Sequence, residues 1–439
     1  MKNRVRVAAA IAALALLSGC GAFKGAKKTP VLGERRPILA AENDIVADKA
    51  LAGSDVLVPE AYANADWSQP GGNAAKSMGH LALGETLTRA WTASIKGASK
   101  RERLASAPVV ADNKLFVVDT DGVVNAFAAD TGARLWQAET VKDKENKNSR
   151  FGGGVSFDGG TVFATNGLGD VVALDAANGT EKWRVRPAGP LRGAPTIANG
   201  NIYVLTQDNQ IFALTQENGS VFWSAAGSPE TQGVFGVAAP ASAQGTVVVG
   251  FSSGELNAYR YENGGMLWAD VLSRTSISTS VSSISDIDAA PVIDSGRAFA
   301  VGQGGRMVAI DMGTGQRAWE QNIAGISTPW VAGEWLFVVT DDARLLCIAR
   351  GSGKVRWIAQ LQHYRNEKKQ KGAIGWVGPV LAGNRLLLLN SRGEIVSVSP
   401  KDGSVLSAME VGGTLSLAPV IANQMLYVID DKGRITAYR

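Results

Sequence analysis

The chain has 439 residues, 45% hydrophobic and 19% charged, which fits a folded, soluble protein but exceeds the usual size of one core, so two domains or a repeat array are expected. Its formal charge of +4 falls to about +1 when Lys2, Arg4 and Arg6 are set aside with the N-terminal segment, which argues against a chain-wide nucleic-acid footprint. Two cysteines speak against a disulfide framework and two histidines against a histidine-based metal site or a Ser-His-Asp triad, while 51 glycines without a Gly-X-Y period point to many tight turns.

At the N-terminus three cations precede an apolar run over residues 7–17. At about 1.5 Å per residue that run spans roughly half a bilayer core, so residues 1–19 read as a signal peptide rather than a spanning helix. The run ends in Leu17-Ser18-Gly19-Cys20, which resembles the bacterial lipobox. The resemblance implies that Cys20 is diacylated and becomes the new N-terminus. Gly21 in place of an aspartate implies the outer membrane, with the protein lipid-anchored and facing the periplasm, and several acyl chains would make the anchoring stable. Residues 20–86 show no sustained periodicity. Their scattered cations, Pro30 and Pro37 read as a tether, with a short helix over about 40–52.

From residue 87 onward the chain repeats. Residues 108–136 read PVVADNKLFVVDTDGVVNAFAADTGARLW, and residues 195–223 read PTIANGNIYVLTQDNQIFALTQENGSVFW. Further copies end at Trp183, Trp268, Trp319 and Trp357, another ends with Ser407 in the tryptophan's place, and the last stops at Arg439 before its fourth strand. Each copy holds four β-rich runs separated by Gly/Asn/Asp turns such as Asn199-Gly200, Asp121-Gly122 and Thr131-Gly132, where tight hairpins place residues at positive φ. A unit of four strands cannot bury both faces alone, so neighbours stack radially. The expected fold is all-β: an eight-bladed β-propeller of four-stranded antiparallel blades over residues 87–439. The segment Arg89-Ala90-Trp91-Thr92-Ala93-Ser94-Ile95 supplies the missing outer strand and closes the ring. The tryptophans read as packing between blades. Cys347, in a third strand, reads as a buried, inert thiol.

The repeat signature Asp/Asn-x-x-Thr/Asn-Gly-x-x-x-Trp, as in residues 175–183, resembles the pyrroloquinoline-quinone-type propeller repeat. With a lipobox, eight blades and few insertions, the chain is similar to the BamB family, lipoprotein subunits of the machinery that folds β-barrels into the outer membrane. That resemblance implies a non-enzymatic scaffold that binds the periplasmic domains of BamA and offers strand edges or a loop face to unfolded outer-membrane protein clients. Ser285-Asp286-Ile287-Asp288-Ala289-Ala290-Pro291 is similar to the family segment whose two aspartates help bind BamA. Asp286 and Asp288 are therefore expected to point the same way from an extended loop and to pair with partner cations. The family's Leu-Arg pair, one blade earlier, is matched by Val234 and Phe235, which keeps the apolar residue and loses the arginine. A Leu191-Arg192 pair lies a further blade back and reads as a coincidence.

The superfamily also contains quinone-dependent dehydrogenases. Those enzymes carry long insertions between blades, an acidic and amide calcium site and often a vicinal Cys-Cys pair; this sequence has no Cys-Cys pair and no long insertion. No catalytic residue, cofactor or metal ligand is expected, and a propeller serving another envelope partner is the third reading. The run Arg365-Asn366-Glu367-Lys368-Lys369-Gln370-Lys371 reads as a solvated loop tip.

Overall fold

Eight four-stranded antiparallel sheets stand in chain order, each built from consecutive strands except the last. The computed structural model describes residues 45–99, 102–142, 151–230, 237–272 and 286–439. Blade one comprises Val109–Ala111, Lys114–Val118, Val123–Ala128 and Arg134–Glu139. Blades two to seven repeat that plan and begin at Gly153, Thr196, Ala241, Val292, Trp330 and Trp376. Blade eight takes Val420–Ala422, Met425–Ile429 and Arg434–Tyr438 and is completed by Arg89–Ser94, paired from Arg89 opposite Tyr438 to Ser94 opposite Arg434. This strand completes the last blade and closes the ring, as the sequence requires.

The repeated tryptophan is a latch between blades. The Trp136 indole Nε1 donates to the Ala176 carbonyl of the next blade at 3.1 Å, and Trp223 donates to Tyr261 at 2.8 Å. Trp91, Trp183, Trp268, Trp319 and Trp357 do the same to Ala129, Gln216, Met312, Arg350 and Pro400. Each indole lies under the third turn of the next blade, which explains the glycine there. At Gly132, with φ +72°, a Cβ would sit 2.4 Å from the Trp91 ring. The one outer strand that lacks a tryptophan also has an explanation. Blade seven, with Ser407, faces blade eight, whose third turn does not exist because the chain termini of the propeller, Thr88 and Arg439, stand in its place.

One expectation is revised. Residues 45–86 do not behave as a tether; Ile45–Arg439 forms one unit, and the segment lies on the propeller. Of the helix expected over about 40–52, residues 40–44 lie outside the described residues, and the rest holds a single 3-10 turn, Lys49–Leu51, whose cap Asp48 pairs at 2.9 Å with Lys354, just before the outer strand of blade six. Beyond it the chain turns inward and plugs the ring. Asn64 binds Ile421 and Asn423 of blade eight, Trp67 exchanges backbone bonds with Val110 of blade one, and the Ser68 carbonyl takes the Phe157 N–H of blade two. Gln69 brackets Ile197 of blade three, and the carbonyls of Ala74 and Ala75 accept from Ser242 and Ile293 of blades four and five. Gly79 accepts the Trp330 indole of blade six, and Leu81 bonds to Leu381 of blade seven. The plug thus winds once round the hub in blade order. It satisfies backbone groups on the innermost strands, which are otherwise sheet edges facing the channel.

Candidate functional site

Beneath the plug the channel encloses a cavity of about 210 Å³. Trp67, Lys76 and Trp330 bound it on the plug side, and its wall is the ring of short Ala/Pro segments that lead into the innermost strands. The Trp67 and Trp330 rings stack at 6.1 Å. Ile326, 47% exposed, stands at the rim, and Asp288 is the carboxylate lining the wall.

Asp288 belongs to a buried ion cluster. The Arg192 Nη2 donates to Asp286 Oδ1 and to Asp288 Oδ1, both at 2.9 Å. Arg192 and Asp286 expose no side-chain surface and Asp288 exposes 11%. Arg192 comes from the segment before blade three, held because its N–H donates to the Leu205 carbonyl and its own carbonyl accepts from Gly153. The two acids come from the segment before blade five, where the Asp286 carbonyl accepts from Gln303 and the Ile287 N–H donates to Phe251 of blade four. The arginine therefore spans from blade three to blade five, past blade four. Two carboxylates share one guanidinium, so one negative charge is left over in a poorly hydrated place. Burial, and then the neighbouring Asp286 charge, push the Asp288 carboxyl up to about 6. The cluster is incompletely satisfied: Arg192 Nε and Nη1 and Asp286 Oδ2 have no hydrogen-bond partner. Buried polar atoms of this kind usually have one.

Lys76 is a further buried charge beside the cavity. It is 1% exposed, its ammonium donates to Thr196 Oγ1 at 3.1 Å, and burial pulls it down to about 7. Cys347 is fully buried and its thiol is pushed far up by burial, in keeping with an inert side chain.

Two expectations change here. Asp286 and Asp288 were expected to point the same way from a loop and to pair with partner cations; both are already paired within the chain. Arg192, set aside as a coincidence, is their counter-ion. The Leu-Arg pair before Pro195 was visible, but nothing in a linear sequence shows that a side chain reaches two blades onward. Leu191, fully buried, packs beside it. Val234, Phe235 and Cys20 lie outside the described residues. Among the described residues no group of three or more His, Cys, Asp or Glu side chains is arranged to hold a metal ion.

Comparison with known proteins places this geometry. A family profile described as outer membrane protein assembly factor BamB matches residues 85–147, 120–359 and 363–439. The BamB of Escherichia coli is 26% identical over 355 residues, covering 80% of this chain and 88% of the relative. That of Yersinia pestis is 25% identical over 357 residues, with the same shares of each chain. The crystal structure of BamB from Moraxella catarrhalis superposes with a TM-score of 0.68 at 20% identity, over 81% of this chain and all of the other. A quinohemoprotein alcohol dehydrogenase from Comamonas testosteroni superposes with a TM-score of 0.67 at 15% identity, over 85% and 80% of the two chains. These structures share the fold.

Proposed function

The chain belongs to the family of the outer membrane protein assembly factor BamB, and from that premise we propose that it is a non-enzymatic docking scaffold of the β-barrel assembly machinery. In this reading it is anchored through Cys20 to the outer membrane, faces the periplasm, and holds the periplasmic domains of BamA. The observation that carries the docking site is the Arg192 brace on Asp286 and Asp288 beside the channel. Asp288, the member with exposed surface, is the group a partner cation can reach; Arg192 and Asp286 position it. A second cation brought by the partner to Asp288 would neutralise the surplus charge, so docking would complete a cluster that is underpaired in the isolated chain. Val234 and Phe235, on the intervening approach to blade four, are proposed as the apolar part of the same contact.

The test is a titration of the full chain carrying Cys20→Ala against the soluble periplasmic region of the cognate BamA. Asp288→Asn should weaken binding at least tenfold while leaving circular dichroism unchanged. Unchanged binding would move the interface elsewhere on the ring. The dehydrogenase alternative is checked by adding quinone and Ca²⁺ and following dye-linked turnover, which should be absent.

A lesser role with unfolded barrel clients is favoured by one feature. The outermost strands of blades three and four leave Val221, Phe222, Met266 and Leu267 exposed next to unpaired strand edges, the arrangement used for strand addition. Client crosslinks at these four positions would support it, and their absence there would remove it.

A further inference from the structure

Between blades six and seven the chain inserts a two-stranded hairpin that no other blade has among the described residues. Tyr364–Asn366 pairs with Lys371–Ala373 around a 3-10 turn, Glu367–Lys369. The hairpin is ordered by its own bonds. Asn366 Oδ1 accepts from the Lys369 N–H at 3.0 Å, and Gln370 takes the left-handed conformation that reverses the chain. At the base the Ile374 N–H donates to His363, and the Trp376 indole donates to Gln362.

Four cations sit on it: Arg365, Lys368, Lys369 and Lys371, all exposed. The carboxylate within the turn, Glu367, is committed elsewhere, since its Oε1 accepts the backbone N–H groups of His363 and Tyr364 at 3.0 Å. Arg365 donates to the Ser391 carbonyl, and among the described residues none of the four cations pairs with a carboxylate. Like charges crowded on a tight turn repel one another, and Glu367 is the one carboxylate within it. The tip is exposed, and the stacked His363 and Tyr364 rings, 4.1 Å apart, stand at its base.

We propose that this hairpin is a contact for an anionic phospholipid surface. Lysine point charges on an exposed tip suit a field of many phosphates, whereas a fixed protein partner selects arginine and depletes lysine at its interface. The aromatic pair at the base matches the half-wet headgroup layer. This goes beyond the docking site and does not depend on it.

The experiment uses the mature chain, residues 20–439 with Cys20→Ala, so that neither an acyl group nor the apolar leader contributes, and sediments it with two kinds of vesicle. One is phosphatidylcholine alone and the other is phosphatidylcholine containing phosphatidylglycerol. The expected result is binding to the second only, weakened by salt, and reduced about fivefold for each lysine converted to glutamine. The triple variant Lys368→Gln, Lys369→Gln, Lys371→Gln should lose it by roughly a hundredfold and still bind BamA as the parent does. Equal binding to both vesicles, or no loss in the triple variant, overturns the proposal. So does a triple variant that keeps its vesicle binding but loses BamA, which would make the tip a contact for an acidic protein surface.

Discussion

Arg192 and Asp286 lie 94 residues apart in sequence, come from blades three and five, and meet at 2.9 Å with neither side chain exposed. A buried pair of this kind resists the loss of one partner far more than the loss of both. Arg192→Met should therefore destabilise the propeller by about 3–5 kcal/mol, because two carboxylates are then buried without a cation. The triple change Arg192→Met, Asp286→Asn, Asp288→Asn should recover much of that loss. Urea unfolding of the parent and the two variants measures both effects.

Asp288 gives the cluster a pH signature. Its folded carboxyl lies near 6, above the ordinary value of 3.8. The native state thus holds this proton more tightly, so the associated stability is present below about pH 4 and is lost as the pH rises through 6. The size is about 3 kcal/mol. Asp288→Asn should flatten this part of the profile, and its Tm should gain on the parent from pH 4 to pH 7. A parallel pair of curves would refute the assignment.

Lys76 predicts the opposite slope. Its folded ammonium lies near 7, below the ordinary 10.5, so the cost of burying the charge is full below about pH 7 and vanishes towards pH 10.5. Lys76→Met should raise stability at pH 6 by up to about 5 kcal/mol, less the contribution of the Thr196 bond, and should have no advantage above pH 10.5. Thermal melts across that range check it.

The latches can be tested at one joint. At Gly264, φ is +69° and an added Cβ would meet the Trp223 ring at 2.7 Å, so Gly264→Ala should cost about 2 kcal/mol or more. Gly351→Ala, where nothing lies within 4 Å and φ is ordinary, should stay within about 0.5 kcal/mol.

Anchoring has its own check. Radiolabelled palmitate should enter the parent chain and not the Cys20→Ala variant, and the variant should keep its N-terminal residues 1–19, which mass spectrometry reads.

The blades were legible in sequence because each repeats the same physical demand: a ring-bearing latch at Trp136 or Trp223, and a glycine in the next turn that leaves room for it. The break in that pattern at Ser407 was visible too, but its cause, a missing turn, needed the closed ring. The plug was illegible. It holds the hub largely through backbone groups of residues such as Ser68, Ala74, Ala75 and Gly79, and backbone bonding leaves no periodic pattern of side chains. The candidate site was half legible. Asp286 and Asp288 stood out, while the direction they face depends on Arg192 reaching through the hub, a contact set by the radius of the ring rather than by any local spacing.

The winding of the plug round all eight blades bears on how this protein comes to exist at all. Asn64 reaches Ile421, 357 residues later, and Thr88 pairs with Arg439. The first part of the propeller to be made is therefore the last to find its partners. Contacts so distant in sequence carry a heavy loop-closure cost and place the chain among slow folders. A chain threaded from its N-terminus through a translocation pore cannot complete the hub or the ring until its final residues have crossed. The last residues thus report on the completeness of the whole chain: one truncated before Arg434 lacks the strand that Arg89–Ser94 must join and leaves open sheet edges.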